Sequence, residues 1–454
     1  MPEYIRHDEG TFSSLTKQQK EAVGLLSIGT FLEYFDLLLY VHMAVLLNEL
    51  FFPKFDPNVA SFLSAAAFCS TYALRPFGAL IFGYIGDNIG RKSTVIITTF
   101  MMAISCIIIM TNLPTYDQIG MKAVVIMTVC RMIQGISSMG ERIGAGIYIS
   151  EITKPPIQYA AVTLIGCLAA LGGTVALAVA SLVTSQGFNW RIAFWIGAIV
   201  AVIGFLARTS LRETPEFVNA KRRIQNILDT TKLDSQKIMS VGIQQNVSKK
   251  TIIANFLTLC GGPVALYFAY IHCGNILKNS FHYTTAQVIH QNFIVSIIGL
   301  AVYCIMVYLS YKIYPLIILK IKLLIFSCIM IPCPYLLDNI TSPLHLLLIQ
   351  IVPITCGLAQ TPAMPIFLKH FPIFKRFTYA NVTYAITQAL MYIITSFGIT
   401  YFVHIFGQYG LLIIIIPLIA GYTFGLYHFE KLEKEVGNYP KKISDNDLNN
   451  NSVL

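Results

Sequence analysis

Charged residues are scarce in this chain of 454 residues. Lysine, arginine, aspartate and glutamate together make up only 12% of it, whereas 55% of its residues are hydrophobic. Soluble domains carry roughly a quarter charged residues, so a chain this apolar could not cover the surface of a soluble globule. Apolar runs of about 20 residues, the length that spans a bilayer core, recur along the whole sequence. The sequence therefore predicts a multi-pass membrane protein that has the lipid bilayer as its main partner.

Signatures of enzyme and metal chemistry are also missing. The ten cysteines form no Cys-x-x-Cys pair and have no histidine at metal-ligand spacing, so no metal site is expected. The stretch GYIGDNIGRKS has only three residues between Gly86 and Gly90, one fewer than a phosphate-binding P-loop requires. The net charge of +10 does not indicate nucleic acid, because the basic residues lie mostly in short segments between apolar runs. We expect neither an enzyme nor a nucleic-acid-binding protein.

The apolar runs form twelve candidate helices in two sets of six, which predicts an all-α membrane protein. The first half, 22–211, follows a short N-terminal segment, 1–21, and the second half covers 251–429. Between the halves, the polar and basic segment 212–250 cannot cross a membrane, and the Asn-rich tail 430–454 is predicted to be disordered. Two halves joined in this way are typical of secondary transporters, whose solute site lies between the halves near the membrane midplane.

Basic residues favour one set of connections between the predicted helices. The even-numbered connections contain the basic central segment and Arg91, Lys92, Lys154, Lys312, Lys320, Lys369, Lys375 and Arg376. By the positive-inside tendency, these loops and both termini are predicted to be cytoplasmic. The polar first twenty residues show no cleavable signal peptide, so the first spanning helix is expected to act as the insertion signal.

Two acids lie inside the first predicted helix, in the run TFLEYFDLLLY. Glu33, Asp36 and Tyr40 are spaced by three and four residues, so they share one helix face. Ionisable residues inside a membrane are costly and are functional candidates by default. A pair of carboxyl groups here suits proton binding, because burial and mutual repulsion favour the protonated form of at least one. The alternative is that Glu33 caps a helix or pairs structurally with a basic neighbour.

The fourth predicted helix carries a second polar face. Arg131 and Arg142 are three helical turns apart, and Gln134 and Glu141 lie on an adjacent line. Such a face must look into a cavity or pair with the acids of the first helix, because lipid would not solvate it. Arg75 in the second helix adds a third cation to this half. In the second half, His272 is the candidate for contact with a proton or solute.

The glycine-rich stretch between the second and third helices resembles a family signature. Its residues match Gly-x-x-x-Asp-x-x-Gly-Arg-Lys/Arg of the major facilitator superfamily at Gly83, Asp87, Gly90, Arg91 and Lys92. Longer segments, LEYFDLLLY, ALRPFGALIFGYIGDNIGRK, LPTYDQIG, RMIQGISSMGE and NWRIAFWIGA, are similar to the metabolite:proton symporters of that superfamily, especially the proline/betaine transporters. In the second half, the similarity is limited to KHFPIFKRFTYANVTYAI.

The resemblance implies the major facilitator fold in a bacterial inner membrane and alternating access driven by the proton motive force, without a cofactor. It implies a monomer that imports a small solute with protons, such as proline or glycine betaine. Asp87 becomes a gate residue that faces the other half at the cytoplasmic side, with Arg91 pairing with Glu151 or Glu213. The candidates for proton coupling and solute binding are Glu33, Asp36, Arg131 and Glu141.

Departures from the family pattern keep alternatives open. Arg142 stands where the family has tyrosine, which favours a solute carrying carboxylate and leaves a dicarboxylate such as 2-oxoglutarate or citrate as a second candidate. The second-half gate motif is reduced to YLSYKIYPLII, with Tyr311 in the place of an acid, so a weak or replaced latch is expected there. A transporter-like sensor that binds solute without moving it is the third reading.

Overall fold

The computed structural model describes residues 15–51, 74–110, 114–186, 191–209 and 247–440, together with Tyr72, Glu213, Val218, Asn219 and Arg222. Within these residues every regular element is helical and there is no strand. We refer to the described residues up to 209 as the first half and to residues 247–440 as the second half. Residues 1–14, most of the central segment and residues 441–454 lie outside the described part of the chain.

The described part of the first half consists mainly of long helices. They are α1 (Lys17–Phe51), α2 (Arg75–Asn88), α3 (Arg91–Met110), the single turn α4 (Tyr116–Ile119), α5 (Met121–Ile152), α6 (Ile157–Gln186) and α7 (Arg191–Arg208). Helix α1 begins five residues before the predicted start of this half at 22. Helices α1 and α6 pack closely because Gly172 has no side chain: a Cβ atom there would lie 2.2 Å from the carbonyl oxygen of Phe31.

The second half has more interrupted helices. They are α8 (Lys249–Leu259), α9 (Gly261–Leu266), the π-helix Tyr267–His272, α10 (Cys273–Phe281), α11 (Thr285–Lys312), α12 (Pro315–Met330), α13 (Cys333–Asp338), α14 (Pro343–Thr355), α15 (Met364–Leu368), α16 (Ile373–Ile393), the π-helix Ile394–Ile399, α17 (Thr400–Phe406), the 3₁₀ turn Gly407–Leu411 and α18 (Leu412–Glu435). Proline at the first position starts α12 and α14, where no backbone donor is needed.

Five helical stretches of the described chain are long and apolar enough to cross a membrane. They are Met121–Ile152, Ile157–Leu182, Lys249–Phe281, Ala286–Lys312 and Ile373–Glu435. Apolar side chains such as Phe77, Leu80 and Ile81 on α2 are exposed on the outside of the bundle, as expected for a surface that faces lipid. The twelve-helix count remains a prediction.

The end of the last helix and the position of Lys320 differ from the sequence-based prediction. In both cases, buried carboxylates with basic partners explain the difference. Helix α18 continues to Glu435, beyond the predicted start of the tail at 430, because Glu430 and Glu433 are buried and have basic partners. Lys320, assigned from sequence to a connection, lies inside α12, and its Nζ atom is 2.8 Å from Glu430 Oε1. An ion pair with the neighbouring helix end therefore holds this lysine within a helix.

The first π-helix releases backbone acceptors that buried amides satisfy. Gln350 is fully buried, and its Nε2 atom donates to the carbonyl oxygen of Ala269 at 2.6 Å and to Asn292 Oδ1 at 2.8 Å. Asn292 Nδ2 in turn donates to the carbonyl oxygen of Tyr270 at 3.4 Å. This network ties the π-helix, α11 and α14 together.

Candidate functional site: a central cavity and two charged clusters

A cavity of about 250 Å³ lies between the two halves. Helices α1, α2, α5 and α6 line it from one side, and the helices of the second half line it from the other. This volume is slightly below the range of roughly 300–1,000 Å³ that is usual for drug-sized ligands, so it suits a small solute. The polar side chains in the cavity wall decide what kind of solute fits.

Two predicted residues of the first half line this cavity. Glu33 on α1 and Arg75 at the start of α2 are 4% and 2% exposed, and they interact electrostatically. The Arg75 guanidinium lies over the Tyr72 ring, with Cζ 4.5 Å from the ring centroid. Its Nε and Nη2 atoms are buried and have no hydrogen-bond partner in the described part of the chain. Arg75 therefore has donors available for an anion.

The second half contributes a lysine and several tyrosines to the cavity wall. The lining side chains that carry polar groups are Tyr270, Ser296, Tyr303, Lys322, Gln360, Thr361, Tyr384, Gln388 and Tyr392. The ring of Tyr392 contacts that of Tyr72 across the two halves, with centroids 4.0 Å apart. Sequence reasoning did not single out Lys322. The signal was present, because Lys322 is a charge inside the apolar run LIILKIKLLIF.

Asp36, Arg131 and Gln134 form a separate buried cluster that does not line the cavity. Arg131 Nη1 lies 3.7 Å from Asp36 Oδ2 and donates to Gln134 Oε1 at 2.5 Å. All three residues are at most 5% exposed. The structure thus brings Asp36 of α1 together with Arg131 and Gln134 of α5. Glu33 of α1 does not join this cluster and interacts electrostatically with Arg75 instead.

The remaining predicted residues are not part of the cavity as described. His272 ends the first π-helix and its Nε2 atom lies 3.1 Å from Gln408 Oε1, away from the cavity wall. The side chains of Tyr40, Glu141 and Arg142 lie outside the described residues, although their backbones belong to α1 and α5. Within the described ranges, no group of three or more His, Cys, Asp or Glu residues is arranged to hold a metal ion.

At one end of the cavity, Asp87 joins the two halves. Asp87 lies about 18 Å beyond Arg75 along α2, and it is 4% exposed. Its Oδ1 atom accepts a hydrogen bond from the Phe377 backbone amide at 3.1 Å, and Oδ2 accepts one from the Thr378 amide at 2.8 Å. A carboxylate of the first half thus binds the backbone of α16 in the second half.

Arg91 extends this contact into a network of alternating charges. Its Nη2 and Nε atoms donate to Glu151 at 3.2 and 3.3 Å, and Nη2 also donates to the carbonyl oxygen of Ile373 at 2.8 Å. Glu151 Oε1 lies 3.2 Å from Nη1 of Arg376, which belongs to the second half. We call Asp87, Arg91, Glu151 and Arg376 the Asp87 cluster. Its two acids and two arginines balance in charge, as buried charges require.

Glu213, the other acid considered for Arg91, binds the backbone instead of the guanidinium. Its Oε1 and Oε2 atoms accept hydrogen bonds from the amides of Arg91 and Lys92 at 3.1 and 3.2 Å. Gly90 makes room for this contact: its φ is +150°, and a Cβ atom there would lie 2.1 Å from Glu213 Oε2. The carboxylate therefore caps the start of α3.

Two glycines of the signature allow α2 and α16 to touch. A Cβ atom on Gly83 would lie 2.8 Å from Thr378 Cα, and one on Gly86 would lie 2.6 Å from Cγ of the buried Phe377 ring. The spacing of the signature therefore places glycines where α2 contacts α16 and places the Asp87 carboxylate near the end of α2.

In the second half, Glu433 is the centre of another charged cluster. Its carboxylate accepts from Tyr314 Oη at 3.0 Å, lies 2.8 Å from His370 Nε2 and forms an ion pair with Lys369. Across the halves, the Tyr314 ring meets the edge of Tyr159, with centroids 6.3 Å apart. We call Glu433, Tyr314, Lys369 and His370 the Glu433 cluster. It stands where the sequence predicted a weak or replaced latch.

The sequence resembles curated bacterial membrane proteins along about half of their length. The proline/betaine transporter of Escherichia coli K12 is 34% identical over 205 residues, covering 44% of this chain and 41% of that protein. The Escherichia coli K12 inner membrane metabolite transport protein YhjE is 33% identical over 237 residues, covering 49% and 52%. The proline/betaine transporter of Salmonella typhimurium is 28% identical over 274 residues, covering 58% and 54%.

Solved structures resemble the whole fold at low sequence identity. The proton:xylose symporter XylE, from Escherichia coli, superposes with a TM-score of 0.71 at 15% identity, covering 94% of this chain and 97% of that one. The human organic anion transporter MFSD10 superposes with a TM-score of 0.67 at 14% identity, covering 91% and 100%. The Major Facilitator Superfamily model matches residues 26–398. The chain belongs to the major facilitator superfamily.

Proposed function

We propose that this protein is a proton-coupled symporter that imports a small carboxylate-bearing solute, such as proline or glycine betaine, by alternating access. The observation that supports it most is that Glu33 and Arg75, which interact electrostatically, both line a cavity between the halves. The similarity to proteins named proline/betaine transporters points to the same solute class. We propose the bacterial inner membrane as its location, a monomer as its working form and the cytoplasm as the side of both termini.

In this proposal, proton coupling follows from competition for one guanidinium. When Glu33 is ionised, its charge and the solute carboxylate compete for the open donors of Arg75. A proton on Glu33 removes that competition, so the proton and the solute each strengthen binding of the other by the same factor. Asp36, on the same helix as Glu33, forms an ion pair with Arg131 of α5. The electrostatic environment of that pair would change when Glu33 gains or loses a proton. Glu141, Arg142, Tyr40 and His272 remain candidates.

The Asp87 cluster would serve as the gate on the cytoplasmic side. It joins α2, α3 and α5 to α16, and each cross-half contact must break before the cavity can open at that end. Gly83, Gly90, Lys92 and Glu213 would shape and cap the turn that carries Asp87 and Arg91. In this proposal, the described conformation is the one closed on the cytoplasmic side.

A dicarboxylate such as 2-oxoglutarate is the second candidate solute. Lys322 adds a second cation to the cavity wall, opposite the half that carries Arg75. A solute with two carboxylates could use both cations at once.

Uptake into proteoliposomes tests these proposals together. Purified protein would be reconstituted with the interior alkaline, and labelled proline, glycine betaine and 2-oxoglutarate would be offered in parallel, with and without a protonophore. We expect protonophore-sensitive accumulation of at least one of them. Binding of a solute without accumulation would indicate a solute sensor instead of a transporter. Accumulation that the protonophore does not reduce would rule out proton coupling.

A further inference from the structure

Lys322 stands in the middle of α12 and lines the central cavity. It is half-buried in an apolar helix, and a charge in such surroundings is costly unless something compensates it. Most other charges of the described interior have such compensation, as in the Asp87 and Glu433 clusters. The environment of the Lys322 ammonium group therefore needs an explanation.

No hydrogen bond or ion pair to Lys322 is present in the part of the chain that the structure describes. Its electrostatic neighbour there is the thiol of Cys356. Lys320, two residues earlier on the same helix, differs in every respect: its Nζ atom lies 2.8 Å from Glu430 Oε1 and donates to Tyr439 Oη at 3.3 Å. Residues two apart point to different faces of a helix, so one lysine reaches the Glu430 carboxylate and the other reaches the cavity.

The other cation of the cavity wall has a different position. Arg75 interacts with Glu33, a carboxyl group of its own half, whereas Lys322 belongs to the second half and has no such neighbour among the described residues. Both cations nevertheless share one property. Each residue lines the cavity and has donors without a partner among the described residues.

We propose that Lys322 binds a carboxylate of the solute from the second-half wall of the cavity and thereby determines which solutes are accepted. The proposal rests on the proposed function and names the contact that the second half makes with the same solute. An ammonium with three donors and no acceptor among the described residues is complementary to a carboxylate. Carboxylate binding by both walls also draws the halves together around the solute.

The charge inventory of the wall indicates a preference for two carboxylates. With Glu33 protonated, Arg75 and Lys322 are the charged groups among the described lining residues, and a dicarboxylate pairs with both. A zwitterion such as proline pairs its carboxylate with one cation and brings its own ammonium toward the other. Lys322 thus favours dicarboxylates over zwitterions of similar size.

Binding to purified protein tests this without requiring transport. Affinities for 2-oxoglutarate and proline would be measured by titration calorimetry in detergent for the wild type, Lys322→Gln and Lys322→Arg. Lys312→Gln is the matched control, because that lysine is exposed at the end of α11 and lies outside the cavity. We expect Lys322→Gln to weaken 2-oxoglutarate binding by roughly ten- to a hundred-fold, the loss typical of a charge-assisted hydrogen bond. Proline binding should weaken less, and Lys322→Arg should recover part of the loss.

Thermal unfolding keeps a failure to fold apart from a loss of binding. Removal of a costly buried charge should leave the Tm of ligand-free Lys322→Gln equal to that of the wild type or above it. The rise in Tm that 2-oxoglutarate produces should shrink in the same variant. An unchanged 2-oxoglutarate affinity in Lys322→Gln, or an equal loss for proline and 2-oxoglutarate, would overturn the proposal. Uptake measured in parallel separates the two proposals. If the solute binds as expected but is not taken up, the proposal for Lys322 stands and only the transport function is ruled out.

Discussion

Cys167 on α6 and Cys304 on α11 face each other across the two halves, with their Sγ atoms 3.6 Å apart. Small side-chain rotations would bring the two sulfur atoms to bonding distance. Because one thiol belongs to each half, their separation reports how closely α6 and α11 approach each other. The pair is therefore a natural probe of the closed conformation.

We expect mild oxidation to lock the protein by joining these cysteines. Copper–phenanthroline with dissolved oxygen takes two electrons and two protons from the thiols, and a disulfide forms between the halves. Uptake should then fall, and dithiothreitol should restore it. With a protease site introduced into the central segment, the cleaved halves should remain together on a non-reducing gel. Cys167→Ser and Cys304→Ser should each abolish this link, and a link that persists in either variant contradicts the assignment.

The Asp87→Asn substitution should impair turnover more than binding. The amide keeps the size of the carboxylate, but it is neutral and its single oxygen can accept from only one of the two backbone amides, because its nitrogen is a donor. The loss of charge-assisted hydrogen bonds should destabilise the closed gate and lower the uptake rate by roughly tenfold. Solute affinity and protein abundance should remain close to those of the wild type. Wild-type uptake rates in this variant would remove Asp87 from the gate.

The Glu33→Gln substitution should remove the pH dependence of solute binding. Glutamine resembles the protonated acid, so Arg75 stays available to the solute at every pH. In the wild type, affinity should weaken by up to about tenfold per pH unit where Glu33 loses its proton, and in the variant it should stay nearly constant. Calorimetric titrations across a pH series measure both. Glu435→Gln, an exposed acid at the end of α18, is the control. If the variant kept the wild-type pH response, Glu33 would not be the coupling residue, and Glu141 or Asp36 would be the next candidates.

The Gly86→Ala substitution should hold the gate open by steric conflict. The added Cβ atom would lie 2.6 Å from the ring of Phe377, which is fully buried and cannot move aside. Overpacking of this kind costs about 1–3 kcal/mol, and here the cost falls only on the closed conformation. Uptake should drop in Gly86→Ala and recover partly when Phe377→Ala is added. Gly24→Ala, with nothing within 4 Å of the added atom, should behave as the wild type does.

The residues that sequence reasoning found best are those with a fixed spacing. Gly83, Asp87, Gly90 and Arg91 were selected because their spacing resembles the signature of the major facilitator superfamily. Their partners could not be predicted in the same way. Asp87 binds backbone amides, which every residue has, and Arg376 reaches Glu151 from a position 225 residues away in the chain.

The cavity was less predictable for a different reason. Glu33 and Asp36 share a helix face by spacing, yet the angle between them is enough to send one to Arg75 and the other to Arg131. Lys322 was missed although it stands inside the apolar run LIILKIKLLIF, two residues after Lys320, which was assigned to a connection. Only the packing of α12 determines that Lys320 contacts Glu430 while Lys322 contacts the cavity.

The contact of Asp87 with main-chain amides has a consequence for how this protein can diverge. A latch that binds two peptide groups places few demands on the side chains at 377 and 378 beyond their size. Homologous chains can therefore exchange those side chains and keep the latch, and the two ends of the contact need not co-vary. Methods that infer proximity from paired substitutions will be blind to this junction, although it joins the two halves.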